Sequence, residues 1–259
     1  MTETVRPTRL SVVIPAFNEQ KTLAAVVRKL LKTANPYEIV IVDDGSTDGT
    51  ATVAKSLAQE HGVVRVITHG KNRGKTQALK SAFQVTRGDI VIVQDADLEY
   101  DPAEIKDLLQ PIVDGVADVV YGSRFLVRKA ARVLYFNHYL ANRALTFLSN
   151  VLTNVNLSDV ETGYKAFRGD VIRNMILTSS GFGFEIEVTA KVTKLGCALY
   201  EVPISYYGRT YEQGKKIGWK DAIAAFWYVF RYNCACSLKN SYKPFPELET
   251  VCALEVVKV

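Results

Sequence analysis

Apolar positions along this chain follow two alternating rhythms. Residues 10–14, Leu-Ser-Val-Val-Ile, form a short, nearly continuous apolar run that predicts a buried strand. Leu23, Val26, Val27, Leu30 and Leu31 then recur at the spacing of one helix face. The alternation continues, with strands predicted over 38–42, 63–67, 89–94 and 118–121. Between them a helix begins after Ser46-Thr47-Asp48, whose side chains suit a helix start. A second spans 75–85, with Ala78, Leu79, Ala82 and Phe83 on one face, and a third opens at Pro102. Such β-α alternation implies an α/β fold with a mostly parallel central sheet flanked by helices.

After about residue 125 the pattern changes. Residues 131–155, rich in Leu, Tyr and Phe, predict a helix, as do 184–195 and 219–233, with short strands at 198–202 and 204–207. The expectation is a single domain over 1–238, made of halves 10–125 and 126–238, and a tail over 239–259 with no readable period.

Composition narrows the class. The chain has 259 residues, 48% hydrophobic and 23% charged, as expected for an ordinary globular protein. A net charge of +5 suits an anionic substrate or membrane surface and is no nucleic-acid signature, so no nucleic-acid partner is expected. Cys197, Cys234, Cys236 and Cys252 lack zinc spacing and read as free thiols in a reducing cytosol. His61, His69 and His138 show no ligand spacing and read as surface or packing residues. The first residues carry no signal-peptide pattern, and no apolar run approaches the roughly 18 residues of a spanning helix. The expected location is therefore cytoplasmic, or at the cytoplasmic face of a membrane.

Ligands of open parallel sheets sit beyond the carboxyl ends of the strands. Four polar clusters fall there: residues 15–19, 43–50, 71–75 and 95–99. Strand alternation would aim Asp95, Asp97 and Glu99 one way, an oxygen-only set suited to Mg²⁺ or Mn²⁺. A carboxylate such as Asp44 can accept from a nucleobase N–H, and Arg73 and Lys75 can meet phosphate at a helix start.

Val12-Val13-Ile14-Pro15-Ala16-Phe17-Asn18-Glu19, Val42-Asp43-Asp44-Gly45-Ser46-Thr47-Asp48-Gly49-Thr50, Asn72-Arg73-Gly74-Lys75 and Asp95-Ala96-Asp97 resemble family 2 glycosyltransferases in order and spacing. Their nucleotide-diphospho-sugar transferase fold is called GT-A. Residues 95–102, Tyr121-Gly122-Ser123-Arg124-Phe125, the segment from Asp159 to Phe167, and the stretch from Arg209 to Lys216 are similar to a narrower group, the dolichyl- or polyprenyl-phosphate sugar synthases. That resemblance implies an inverting, metal-dependent transfer of a hexose from GDP-mannose or UDP-glucose to a polyprenyl phosphate. Pro15, Phe17, Glu19, Val42 and Asp44 would line the base and ribose pocket, with Ala96 touching the nucleotide by its backbone. Asp95, Asp97 and Glu99 would hold the divalent cation. Arg209 and Lys216 would close over the diphosphate, and Arg124 and Arg143 would meet the lipid phosphate.

This chain departs from that pattern. Glu161 stands where those synthases usually carry Thr, Glu99 where Gln is frequent, and Lys215 where Ser is usual. An acceptor phosphate needs no strong base, whereas a hydroxyl of a glycan, peptide or small metabolite does, with Asp159 or Glu161 the candidate. A non-catalytic nucleotide-sugar-binding protein is a third reading, opposed by the intact acidic and basic clusters. Glu185 and Glu187 read either as dipole-favoured residues at a helix start or as donor-side groups. Helices 131–155 and 219–238, with Trp219, Trp227, Tyr228 and Tyr232, suit peripheral contact with a membrane or burial against the sheet or a second copy.

Overall fold

The computed structural model describes residues 7–126, 132, 135–209 and 219–246, with backbone alone for 219–222. A seven-stranded sheet runs in the order β3-β2-β1-β4-β6-β5-β7. Its strands are β1 (Leu10–Ala16), β2 (Glu38–Asp43), β3 (Val64–Thr68), β4 (Ile90–Val93), β5 (Val119–Ser123), β6 (Lys165–Arg168) and β7 (Leu199–Pro203). The helices are α1 (Leu23–Thr33), α2 (Thr50–Glu60), α3 (Lys75–Phe83), α4 (Ile105–Val113), α5 (Phe136–Thr153), α6 (Gly169–Asn174), α7 (Phe184–Leu195) and α8 (Trp219–Cys234).

The apolar runs are continuous because both faces of the sheet are covered. Val13, Val40, Val42, Val91 and Val93 project to one core, which α3, α5, α7 and α8 also enter. Val12, Ile14, Ile39, Ile41 and Ile92 project to the other, with α1, α2 and α4. Pairs β1-β2, β1-β4, β2-β3 and β5-β7 are parallel, as the alternation predicts.

Strand β6 is the exception. It is antiparallel to both β4 and β5, and its pattern Lys-Ala-Phe-Arg is too short and too polar to read as a buried strand. Its direction matters for the site. An antiparallel strand enters the sheet at the edge where its parallel neighbours end. Residues 159–164, which lead into β6, therefore sit beside the chain leaving β4 and β5.

Residues 204–207, expected as a strand, form none of the seven. Tyr207 N donates instead to Glu99 O at 3.0 Å, which draws this segment across the acidic cluster. Helix α2 is capped one residue later than its sequence suggests. Its N-cap is Gly49, while Asp48 Oδ1 accepts from Thr50 N at 2.9 Å. The start of the expected tail packs on the body, with Leu238, Tyr242 and Phe245 in the core. No helix among the described residues is long and apolar enough to cross a membrane.

Candidate active site

The loops leaving β1 and β2 are stitched to each other. Asn18, with φ +55°, accepts through Oδ1 from Thr47 N at 2.9 Å and donates through its own N–H to Ser46 Oγ at 3.0 Å. Gly45, with φ +70°, lets the β2 loop lie directly on the β3 loop, since a Cβ there would meet Lys71 C at 2.4 Å. Asp44 ties these loops together. Its carboxylate accepts from Gly74 N at 2.7 Å, from Arg73 N at 3.0 Å and from His69 Nδ1 at 2.6 Å. In this arrangement Asp44 holds the β3-α3 loop, and all its contacts are internal. His69, read as a packing residue, is buried between Asp44 and Ser81 and belongs to this support. Pro15 and Phe17 are partly buried at the same edge. Val42 has no exposed surface and lies in the core, so it offers a ligand only backbone.

The acidic cluster differs from the strand alternation expected of it. β4 ends at Val93, before the first of these carboxylates. Leu98 then takes φ +62°, a left-handed conformation that costs a non-glycine residue about 1–2 kcal/mol. The acids take different partners. Asp95 faces Lys75, whose Nζ lies 3.0 Å from Asp95 Oδ1 and 3.0 Å from Glu185 Oε1. Asp97 and Glu99 face Arg209 instead. Arg209 Nη2 is 2.6 Å from Asp97 Oδ2, Nε is 3.3 Å from Glu99 Oε1, and Nη1 is 3.2 Å from Glu19 Oε1. Tyr206 OH donates to the other oxygen of Glu99 at 2.8 Å. Ala96 is buried between the two acids.

These pairings set the charges. Burial works against the Lys75 ammonium, but Asp95 and Glu185 outweigh it and hold its pKa well above the ordinary value. Asp97 is pushed up to about 7 by burial, then by Asp95 and Glu99, with Arg209 opposing. No group of His, Cys, Asp or Glu among the described residues stands in metal-holding geometry. The donor set nevertheless fits a hard cation: Glu19, Asp97 and Glu99 converge through oxygen alone, and a guanidinium already stands among them as the compensating positive charge.

A second cluster lies where β5 and β6 meet the edge. Arg124 binds Asp159 through Nε at 2.6 Å and Nη2 at 2.7 Å. Asp159 is fully buried and also accepts from Asn142 Nδ2 at 3.1 Å. Burial would raise its carboxyl, yet Arg124 more than offsets this and keeps it below the usual range. An ionised, fully bonded Asp159 is poorly placed to take a proton. Arg124 also stacks over Tyr206, 5.2 Å from the ring centroid, which links this cluster to Glu99. Arg143 is exposed on α5 and donates to Ser158 O at 3.3 Å. Glu161 is pushed up to about 7 by burial and by the charge of Glu185, and its Oε1 has no hydrogen-bond partner. Lys216 lies outside the described residues.

Tyr206 is a site residue with no distinguishing sequence signal, whereas Glu185 carries one, as a residue that reads either as a helix-start acid or as a donor-side group. Both reach the cluster across long chain separations, Tyr206 to Glu99 over 107 residues.

Comparison with known proteins places the chain in a family. Residues 11–176 match the family described as Glycosyl transferase family 2. The polyprenol monophosphomannose synthase of Mycolicibacterium smegmatis is 32% identical over 223 residues, spanning 83% of this chain and 84% of that protein. The undecaprenyl-phosphate mannosyltransferase of Micrococcus luteus is 29% identical over 216 residues, spanning 81% and 88%. Among solved structures, glucosyl-3-phosphoglycerate synthase from Mycobacterium tuberculosis in complex with Mn²⁺, uridine diphosphate and phosphoglyceric acid has a TM-score of 0.68 at 19% identity, covering 88% of this chain and 79% of that one. At that identity the likeness concerns the fold, which is the GT-A arrangement of sheet and helices. The chain belongs to glycosyl transferase family 2 and is a glycosyltransferase.

Proposed function

We propose that this glycosyltransferase moves a hexose from a nucleoside-diphosphate sugar to a polyprenyl phosphate, with a divalent cation bound by its acidic cluster. The observation that carries the reading is the meeting of Glu19, Asp97, Glu99 and Arg209 at the edge where the parallel strands end. Glu19, Asp97 and Glu99, which meet at Arg209, would hold the cation, with Asp95 close to Asp97. A bound divalent ion neutralises charge developing on a leaving diphosphate. Released from its acids, Arg209 can pair with the diphosphate, a bidentate contact for which guanidinium is suited. Asp44 acts by holding the loop of Arg73 and Gly74 in place for the nucleotide.

A phosphate acceptor brings its own anionic oxygen, so the transfer needs orientation more than a base. Arg143, exposed beside Ser158, is available to an acceptor phosphate. Arg124 contributes through Asp159, which fixes its guanidinium against the chain. The named functions of the two relatives support the lipid acceptor. So do the apolar faces of α5 and α8. Phe136, Tyr139, Leu140, Phe147 and Val151 recur at helix-face spacing on α5 and are exposed, as are Ile223, Trp227 and Phe230 on α8. Such faces suit shallow insertion into a membrane surface, where aromatic rings sit at headgroup depth.

A hydroxyl acceptor is the second reading, favoured by Glu161. Its raised pKa and unpartnered oxygen are those of a general base, and Asp159 is already bonded. One assay separates the two. The protein is incubated with Mn²⁺ and radiolabelled GDP-mannose or UDP-glucose, with polyprenyl phosphate or soluble acceptors. Label in the organic phase, dependent on polyprenyl phosphate, supports the first reading. Label confined to a water-soluble product would exclude it.

A further inference from the structure

Beneath the cleft, Glu185 is 4% exposed. Its Oε1 pairs with Lys75, while Oε2 is closed from solvent and has no hydrogen-bond partner. Glu161 Oε1 is closed and unpartnered in the same way. The two carboxylates lie near enough to repel, Glu185 being the strongest charge acting on Glu161. Buried acceptors without donors are costly, and native structures rarely leave them so without reason.

The nearby cations do not supply the missing donors. Lys75 is committed to Asp95 and to the other Glu185 oxygen. Lys165 donates to the carbonyls of Val160 at 2.9 Å and Thr162 at 2.5 Å. Glu187, the other acid at this helix start, is different. It binds Lys191 at 2.5 Å and accepts from the backbone of Thr178 and Ser179, a complete structural set. The contrast marks Glu185 as the acid that faces something else.

The location identifies what that is. Lys75 joins Glu185 directly to Asp95, the first acid of the nucleotide-facing motif. Gly163 keeps this space narrow and backbone-lined, since a Cβ there would come within 2.7 Å of Asp95 Oδ2 and 3.0 Å of Lys75 Nζ. A carboxylate accepts and never donates, and Glu161 becomes one above about pH 7, so the complement of the pair there is a hydroxyl donor. Neighbouring ring hydroxyls of a sugar offer such donors side by side, and their oxygens can accept from Lys75.

We propose that Glu161 and Glu185 are specificity-determining residues that accept hydrogen bonds from hydroxyls of the donor's hexose. This rests on the nucleotide-sugar reading above and assigns the sugar-recognising part of that site. A pocket built around a substrate hydroxyl strongly rejects the analogue that lacks it.

The test is calorimetric titration of the full chain, in Mn²⁺, with GDP, GDP-mannose, UDP and UDP-glucose. The wild type should bind one nucleotide sugar more tightly than its bare nucleotide. Glu185→Gln and Glu161→Gln should each weaken the nucleotide sugar about 10-fold and leave the bare nucleotide unchanged. Glu185→Asp, which keeps a negative charge beside Lys75 but shortens the reach, should show the same selective loss. A deoxy-sugar nucleotide lacking the recognised hydroxyl should lose affinity for the wild type but not for the matching variant. Equal losses for sugar and bare nucleotide would overturn the inference in favour of a structural role. Unchanged sugar affinity with lost turnover in Glu161→Gln would overturn it in favour of a base. A wild type that binds nucleotide and nucleotide sugar equally would overturn it while leaving the nucleotide site standing. Binding of none of the four would overturn the donor reading and this inference together.

Discussion

Arg209 Nη2 lies 2.6 Å from Asp97 Oδ2, across 112 residues of chain. One guanidinium thereby neutralises the acids that a metal would share, and the segment after β7 is held over the cleft while it does so. A metal bound there would compete with Arg209 for the same carboxylates. In metal-free protein, Arg209→Ala should lower the melting temperature, by about 2–4 °C for each kcal/mol lost. It should also bind Mn²⁺ more tightly than the wild type, so that Mn²⁺ raises its melting temperature further. Thermal melts with and without Mn²⁺ check this, with Asp97→Ala, which should abolish the Mn²⁺ response, as the control. Equal Mn²⁺ shifts in wild type and Arg209→Ala would show that the two cations do not compete.

The Arg124–Asp159 pair is a structural joint as well as a candidate phosphate site. Removing one partner leaves a buried, uncompensated charge, which costs about 3–5 kcal/mol. Arg124→Ala should therefore destabilise the chain by about that amount. Arg124→Met with Asp159→Leu should recover much of the loss, because both charges go together. Urea unfolding of the single and double variants measures the difference. If Arg124→Ala unfolds at the same urea concentration as the wild type, the buried Asp159 does not depend on Arg124.

The pH dependence of stability has a defined sign. Glu161 holds its proton to about pH 7 in the native state, while an ordinary glutamate releases it near 4.5. Between those values the native state binds more protons than the unfolded state, so stability falls as pH rises. Asp97, also raised to about 7, adds to the same trend in metal-free protein. Glu161→Gln should flatten the fall and stabilise the chain at pH 8 relative to the wild type. Chemical denaturation in chelator at pH 5, 6, 7 and 8, values that bracket the window set by burial of these groups, is the measurement. A parallel dependence in both proteins would show that Glu161 is ionised throughout.

The apolar faces of α5 and α8 give a prediction independent of chemistry. Phe147 and Trp227 are 70% and 64% exposed, so neither contributes much to the core. Phe147→Ser combined with Trp227→Ser should leave the melting temperature nearly unchanged and reduce sedimentation with vesicles of anionic phospholipid. Vesicle binding equal to that of the wild type would remove the membrane role from these residues.

Much of this molecule is local and therefore legible in its sequence. The strands β1, β2 and β4 and the helix α1 announce themselves because each buries a periodic apolar set that neighbouring residues alone define. The polar clusters at the strand ends follow from the same periodicity, since a parallel sheet collects its carboxyl ends on one edge. The acids of that edge are thus named by sequence. Their partners are not. Strand β6, only four residues long with Ala166 and Phe167 turned to opposite cores, is decided by pairing with β4 and β5. That pairing alone carries Asp159, Glu161 and Gly163 to the site. Likewise, the chain leaves strand geometry after Val93, Arg209 arrives from beyond β7 to pair with Asp97 and Glu99, and Lys75 finds Glu185 from the opposite half of the chain. Helix and strand periods are set by contacts a few residues apart, which sequence records. Charge pairing in a buried cleft is set by which distant segments the packed sheet brings within reach, and only the tertiary structure decides that.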